Sequence, residues 1–121
     1  MKAVFDTNIL IDYLNGFAQA EKELSLYEEK LISVITRIEV MTGARNKEEE
    51  QVLHKFLSSF TVIGLDSGIA NRTIELRRKF HLRIPDAIIY ATAREQGCII
   101  VSRNTMDFKT DWPDVRVPYK L

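Results

Sequence analysis

Cysteine is almost missing from this chain: Cys98 is the one thiol in 121 residues. That excludes an internal disulfide and any zinc site built on paired cysteines, and it suits a reducing compartment. Three prolines and five glycines are too few and too scattered for a linker or a low-complexity stretch. No apolar run approaches the roughly 18–20 residues a membrane span requires. The opening MKAVFDTN puts an acid inside the first apolar run, unlike a secretory leader. Neither sign of charge is in excess, since 17 Lys+Arg meet 17 Asp+Glu, so the chain is no passive coat held on nucleic acid by global basicity. What remains, 45% hydrophobic and 28% charged, is the composition of a globular protein. The expectation is one domain over residues 1–121, in the cytoplasm.

Short apolar runs at Lys2–Phe5, Lys30–Ser33, Phe60–Ile63, Cys98–Val101 and Val115–Val117 read as strands. Helical spacing covers Thr7–Leu14, Ala18–Glu29, Val34–Ala44 and Asn46–Ser59, then a stretch from an Asp66–Ser67 cap to about Phe80. A last helix opens at Pro85, where a missing N–H does no harm, and closes at Gly97. Strands alternating with helices predict an α/β fold: a short parallel sheet covered on both faces. Ligand sites in such sheets lie beyond the carboxyl ends of the strands.

Acids recur near those ends. Asp6 ends the first strand, Glu39 lies among Ile38, Val40 and Met41, and Asp86 opens the most apolar helix. Asp107 follows the last long strand in the loop Ser102–Phe108. Singly, Asp6 and Asp86 could serve as helix caps or dipole partners, and Asp107 as a turn residue. Glu39, expected on a buried face, needs a partner there, with Arg37 or Arg45 as candidates. Together, carboxylates gathered in one cleft repel and raise one another's pKa. A hard divalent cation relieves that conflict, and oxygen donors without His or Cys select Mg²⁺ or Mn²⁺.

The segments Val4–Ile11 (VFDTNILI), Ser33–Glu39 (SVITRIE), Leu82–Ala93 (LRIPDAIIYATA) and Ser102–Phe108 (SRNTMDF) resemble, in order, the motif series of the PIN-domain family. Within it the chain resembles the VapC-type toxins of bacterial toxin–antitoxin pairs. The resemblance implies a PIN-like three-layer α/β/α nuclease that uses Mg²⁺ or Mn²⁺ to hydrolyse RNA, tRNA often among its targets. It also implies a small cognate antitoxin, VapB-like, as inhibitor, with a homodimer and a toxin–antitoxin hetero-oligomer as assemblies. By position, Asp6, Glu39 and Asp86 match the family's best-defined acids. The fourth acid falls on Asn104 in some members and on Asp107 in others, and Asp107 is taken here as the catalytic and metal-binding group. Thr7, Asn8, Thr36, Ser102 and Asn104 are then candidates to orient carboxylates or substrate by hydrogen bonds.

Arg72, Arg77, Arg78, Lys79, His81 and Arg83 cluster before Asp86, and Arg103 lies in the last acidic loop. Of these, Arg77, Arg78, Arg83 and Arg103 are the expected RNA contacts, against the plainer reading of a solvated helix face. Tyr13, Phe17, Leu24 and Phe56 could line an antitoxin groove or simply pack the core. His54 and His81 stand alone, Cys98 is expected as an inert core residue, and Trp112 and Tyr119 pack either a tail or a dimer contact. The rival reading is a non-catalytic PIN-like module that binds RNA or a protein. A receiver or haloacid-dehalogenase-type phosphatase is disfavoured, because Asp6-Thr7-Asn8 lacks their second acid.

Overall fold

The computed structural model describes residues 1–121. Its centre is β1 (Lys2–Phe5), parallel to β2 (Glu29–Ser33) on one side and to β4 (Ile99–Val101) on the other. Beyond them lie β3 (Thr61–Ile63), against β2, and β5 (Val115–Arg116), against β4. The order β3-β2-β1-β4-β5 shows that the chain first builds outward from β1 and then returns to its other side. The reversal falls between β1 and β4, where Phe5 is in register with Val101. A crevice at the carboxyl ends of that strand pair follows from the topology.

The helices are α1 (Thr7–Leu14), α2 (Ala18–Leu24), α3 (Val34–Thr42), α4 (Lys47–Leu57), α5 (Ser67–Phe80) and α6 (Ile84–Glu95). Alternate side chains of β1 serve opposite layers, as the two-residue strand period requires. Ala3 and Phe5 pack with Ile9, Leu10, Leu24, Val40 and Leu57 of α1–α4, whereas Val4 joins Ile69, Leu76, Ile88 and Ile89 of α5 and α6. Burial on both faces is why the strands read as unbroken apolar runs. Phe5 meets Tyr27 edge-on at 5.1 Å between ring centres and Phe60 at 6.3 Å, contacts worth ~0.5–1.5 kcal/mol each beyond area burial.

Side-chain caps set several helix starts. Ser33 accepts from the Ile35 N–H at 3.0 Å, and Asn46 and Asp66 accept from the Glu49 and Ile69 N–H groups at 2.9 and 2.8 Å. α5 ends on His81 at φ 58°, a left-handed position usually left to glycine. No helix is long and apolar enough to cross a membrane.

One helix boundary needs correction, and two side chains are placed more closely than the sequence allowed. The helix expected over Ala18–Glu29 stops at Leu24, because Glu29 must be extended to pair with Lys2 and Tyr27 must turn inward onto Phe5. Leu24 packs in the core and is 6% exposed. Cys98 is half-buried just ahead of β4, where burial pushes its thiol pKa up. Trp112 is half-buried, stacked on Tyr90 at 5.6 Å and tilted against Phe80 at 4.2 Å, so it packs against its own core.

Candidate active site

Asp6 leaves β1 at its carboxyl end and is only 5% exposed. Its Oδ1 accepts the Thr7 backbone N–H at 2.8 Å, the plain capping role. Its Oδ2 accepts the Ser102 hydroxyl at 2.7 Å and the Asn8 amide at 3.2 Å. Ser102 stands at the end of β4, so the two strands that flank the chain reversal supply one carboxylate and its main donor. No cation pairs with Asp6, although it is almost wholly buried. Burial, then the charges of Asp86 and Glu39, push its pKa up to about 6, against the opposing hydrogen bonds of Ser102 and Thr7.

Asp86 lies in the first turn of α6, one residue after Pro85, and is buried. Burial also raises its pKa; Arg83 works against the shift and Asp107 adds to it. The Arg83 Nε donates to Asp86 Oδ2 at 3.1 Å, and its Nη2 stands 3.7 Å from Asp107 Oδ2. Asn104 holds Asp107: its side-chain amide donates to Asp107 Oδ2 at 2.7 Å. Its carbonyl oxygen accepts the backbone N–H groups of Met106 and Asp107. Of the two candidates for the fourth acid, Asp107 is thus the group that faces Asp86, and Asn104 is its holder.

Glu39 departs from expectation. It is exposed at the mouth of the crevice, and its partner is the Thr7 hydroxyl, which donates to Oε1 at 2.6 Å. The Thr7 and Thr36 hydroxyls are 3.0 Å apart, with Thr36 buried. Neither candidate arginine pairs with Glu39; Arg45 engages Glu49 at 2.6 Å on the exposed start of α4. An amphipathic period allows this, because α3 turns Thr36 and Val40 inward and Glu39 outward.

Donor chemistry suits a hard cation: carboxylate oxygens, one of them buried and unpaired, with no sulfur or imidazole close by. No three of the chain's His, Cys, Asp and Glu side chains close a coordination cage by themselves. Mg²⁺ does not need one, since it is commonly held by one or two carboxylates with water completing its octahedron.

The basic residues separate. Arg77 donates to the Leu82 carbonyl at 2.7 Å and fixes the end of α5. Together with Arg78, His81 and Ile74 it still lines a surface hollow of about 500 Å³. Arg72 is paired with Glu95 at 2.7 Å. Arg103 is anchored: its Nε and Nη2 donate to both oxygens of Asp12 at 2.7 and 2.9 Å. Asp12 is the residue the sequence reading passed over. The available signal was its place one turn after Ile9 on the inward side of α1, and it is 2% exposed.

An apolar hollow of about 220 Å³ forms where expected, lined by Tyr13, Leu24, Phe56 and Phe60 but not by Phe17. Tyr13 and Phe56 stack on each other there at 4.9 Å, and a second apolar hollow, about 450 Å³, is formed by Ile11, Leu14, Val40, Val52 and Leu53. Arg45, Glu48 and Glu49 edge it.

Comparison with known proteins identifies the family. The tRNA(fMet)-specific endonuclease VapC of Shigella flexneri is 32% identical over 120 residues, 90% of this chain and 91% of that protein. Ribonuclease VapC1 of Methanocaldococcus jannaschii is 28% identical over 99 residues, 82% of this chain and 60% of that protein. A toxin–antitoxin complex from Klebsiella pneumoniae contains a chain 41% identical with a TM-score of 0.93, over 99% of this chain and 100% of that one. The model of the family described as PIN domain matches residues 3–111. This chain, with its three-layer α/β/α architecture, belongs to the PIN-domain family.

Proposed function

We propose that the chain is a divalent-metal-dependent endoribonuclease toxin, with Mg²⁺ or Mn²⁺ as cofactor and RNA, tRNA in particular, as substrate. Residues 1–121 act as one nuclease domain in the cytoplasm, restrained by a cognate VapB-like antitoxin. The observation that carries the reading is Asp6: a buried carboxylate without a cation, at the chain reversal, facing Asp86 and Glu39. The VapC relatives and the toxin–antitoxin complex support the activity and the partner.

Asp6 and Asp86 would hold the cation, with Asp107 and Glu39 completing the acidic crevice. When bound, the cation neutralises the scissile phosphate and acidifies an attacking water. Ser102, Asn8 and the Thr7 N–H fix both oxygens of Asp6, so the carboxylate needs no reorganisation to bind. Glu39, oriented by Thr7 and open to solvent, is placed to take a proton from water. Asn104 keeps Asp107 aimed inward, and Arg83 at the rim offers a cation to phosphate. Arg77 and Arg78 would extend the RNA path along the end of α5.

The groove of Ile11, Leu14, Val40, Val52 and Leu53 is the face proposed for an apolar antitoxin segment, in a hetero-oligomer built on a toxin homodimer. The test is cleavage of labelled RNA by antitoxin-free protein with Mg²⁺ or with EDTA. Cleavage should require Mg²⁺ and disappear in Asp6→Ala and Asp86→Ala. Cleavage that survives either substitution would overturn the metal-nuclease reading, and absence of cleavage by the wild type would favour the non-catalytic alternative.

A further inference from the structure

The carboxyl-terminal tail reaches the active-site loop through one buried junction. Asp12, on α1, receives both Arg103 donors and also the Tyr119 hydroxyl, which donates to Oδ2 at 2.9 Å. Asp12 is 2% exposed while the Arg103 side chain stays one-third exposed, so the carboxylate is shielded from water and held by a two-pronged contact. Arg103 is the residue between Ser102, which donates to Asp6, and Asn104, which holds Asp107. Its backbone N–H donates to the Asn8 side-chain oxygen at 3.2 Å, and the Asn8 amide donates in turn to Asp6. The Asn104 N–H reaches back to the Ser102 hydroxyl oxygen at 3.0 Å. Every hydrogen bond that aims Asp6 or Asp107 from this loop therefore passes within one residue of the Arg103 anchor.

We infer that Asp12 and Tyr119 are positioning residues, which clamp Arg103 and thereby set the Ser102–Asp107 loop against Asp6 and Asp86. Removing the clamp would leave Asp6 and Asp86 in place but let the loop drift, Asp107 with it, and a displacement of about 1 Å in such a site can lower a rate a hundredfold. Arg103 then acts through its neighbours and does not touch RNA. Arg116, paired with buried Glu23 at 2.6 Å on the same carboxyl-terminal segment, provides the internal control: its backbone carbonyl accepts the Ser102 N–H at 3.0 Å as part of the β4–β5 pairing, but neither side chain of the pair bonds to the loop.

The inference rests on the nuclease reading, so the experiment carries a readout apart from cleavage. Tyr119→Phe, Asp12→Asn, Arg103→Gln, Arg103→Lys and the control Glu23→Gln are compared with wild type by thermal melting, by Mn²⁺ titration calorimetry and by cleavage kinetics at 25 °C. The clamp predicts that Tyr119→Phe melts within a few degrees of wild type yet loses about threefold to tenfold in kcat. Asp12→Asn and Arg103→Gln should lose ten- to a hundredfold in kcat with KM for RNA unchanged, and should bind Mn²⁺ several-fold more weakly. Arg103→Lys should recover only part of the loss, because an ammonium cannot reproduce the two-pronged contact. Glu23→Gln should melt lower and keep wild-type kcat and Mn²⁺ affinity.

Wild-type kcat and Mn²⁺ affinity in Tyr119→Phe and the folded Arg103 variants would overturn the clamp. A raised KM with intact kcat would overturn it too, by making Arg103 an RNA contact. A wild type that binds Mn²⁺ without cutting RNA would defeat the nuclease reading alone, leaving the Mn²⁺ affinities to judge the clamp. A wild type that neither binds nor cuts would defeat both.

Discussion

Asp6 and Asp12 sit six residues apart and are buried to almost the same degree, at 5% and 2% exposure, but they are treated in opposite ways. Asp12 is met by a bidentate arginine and a tyrosine hydroxyl. Glu23, 4% exposed, receives the same treatment from Arg116 and Tyr27. Asp6 receives only neutral donors and faces further acids. The two paired carboxylates fasten the carboxyl-terminal segment to α1 and α2. The unpaired one carries its charge without a cationic partner, at the position proposed for the metal. Stability is thus conceded at one position and secured at two others.

The largest expected effect is on Asp6→Asn. Cleavage should fall at least a thousandfold, while the metal-free protein becomes more stable at pH 7.5 by up to about 3 kcal/mol, the equivalent of a shift of some two pKa units. The same neutralisation at Asp12 or Glu23 should act with the opposite sign. Breaking such a pair from its buried side leaves a partly exposed arginine that water can solvate, so the cost is about 1–3 kcal/mol, which urea unfolding would read directly. Equal signs at Asp6 and Glu23 would break the comparison.

The pH dependence sharpens it. Asp6 has its folded pKa raised, so its contribution to metal-free stability is full below about pH 4 and is lost as pH rises through about 6. Glu23 is held below its usual value by Arg116 and Tyr27 despite its burial, so its contribution is present above the ordinary carboxylate range and is lost on acidification. Mg²⁺ must displace the Asp6 proton, so both Mg²⁺ affinity and cleavage should rise through about pH 6. The smallest effect falls outside both classes of acid: Arg78→Ala should raise KM for RNA a few-fold and reduce the salt slope of binding by about one, with kcat unchanged.

The sheet, its parallel sense and the place of the crevice were legible because strands buried on both faces must be apolar throughout and alternate with helices. Asp6, Asp86, Ser102 and Asn104 were legible through motifs that mark strand and helix ends. The pairing of charges was not. Arg103 reads as a free cation in a polar loop, and only folding brings it to Asp12, 91 positions away in sequence. The burial expected of Glu39 failed because a helix period, not the local apolar company of Ile38 and Val40, decides which way a side chain faces. The end of α2 was missed because strand pairing with β1 overrides helical composition after Leu24.

The most direct measurement is a carboxyl-carbon NMR titration of Asp6 in the protein, first without metal and then with saturating Mg²⁺. The account predicts a midpoint near 6 without metal and a midpoint displaced well toward acid with Mg²⁺ bound. A midpoint near 4 that is indifferent to Mg²⁺ would contradict it.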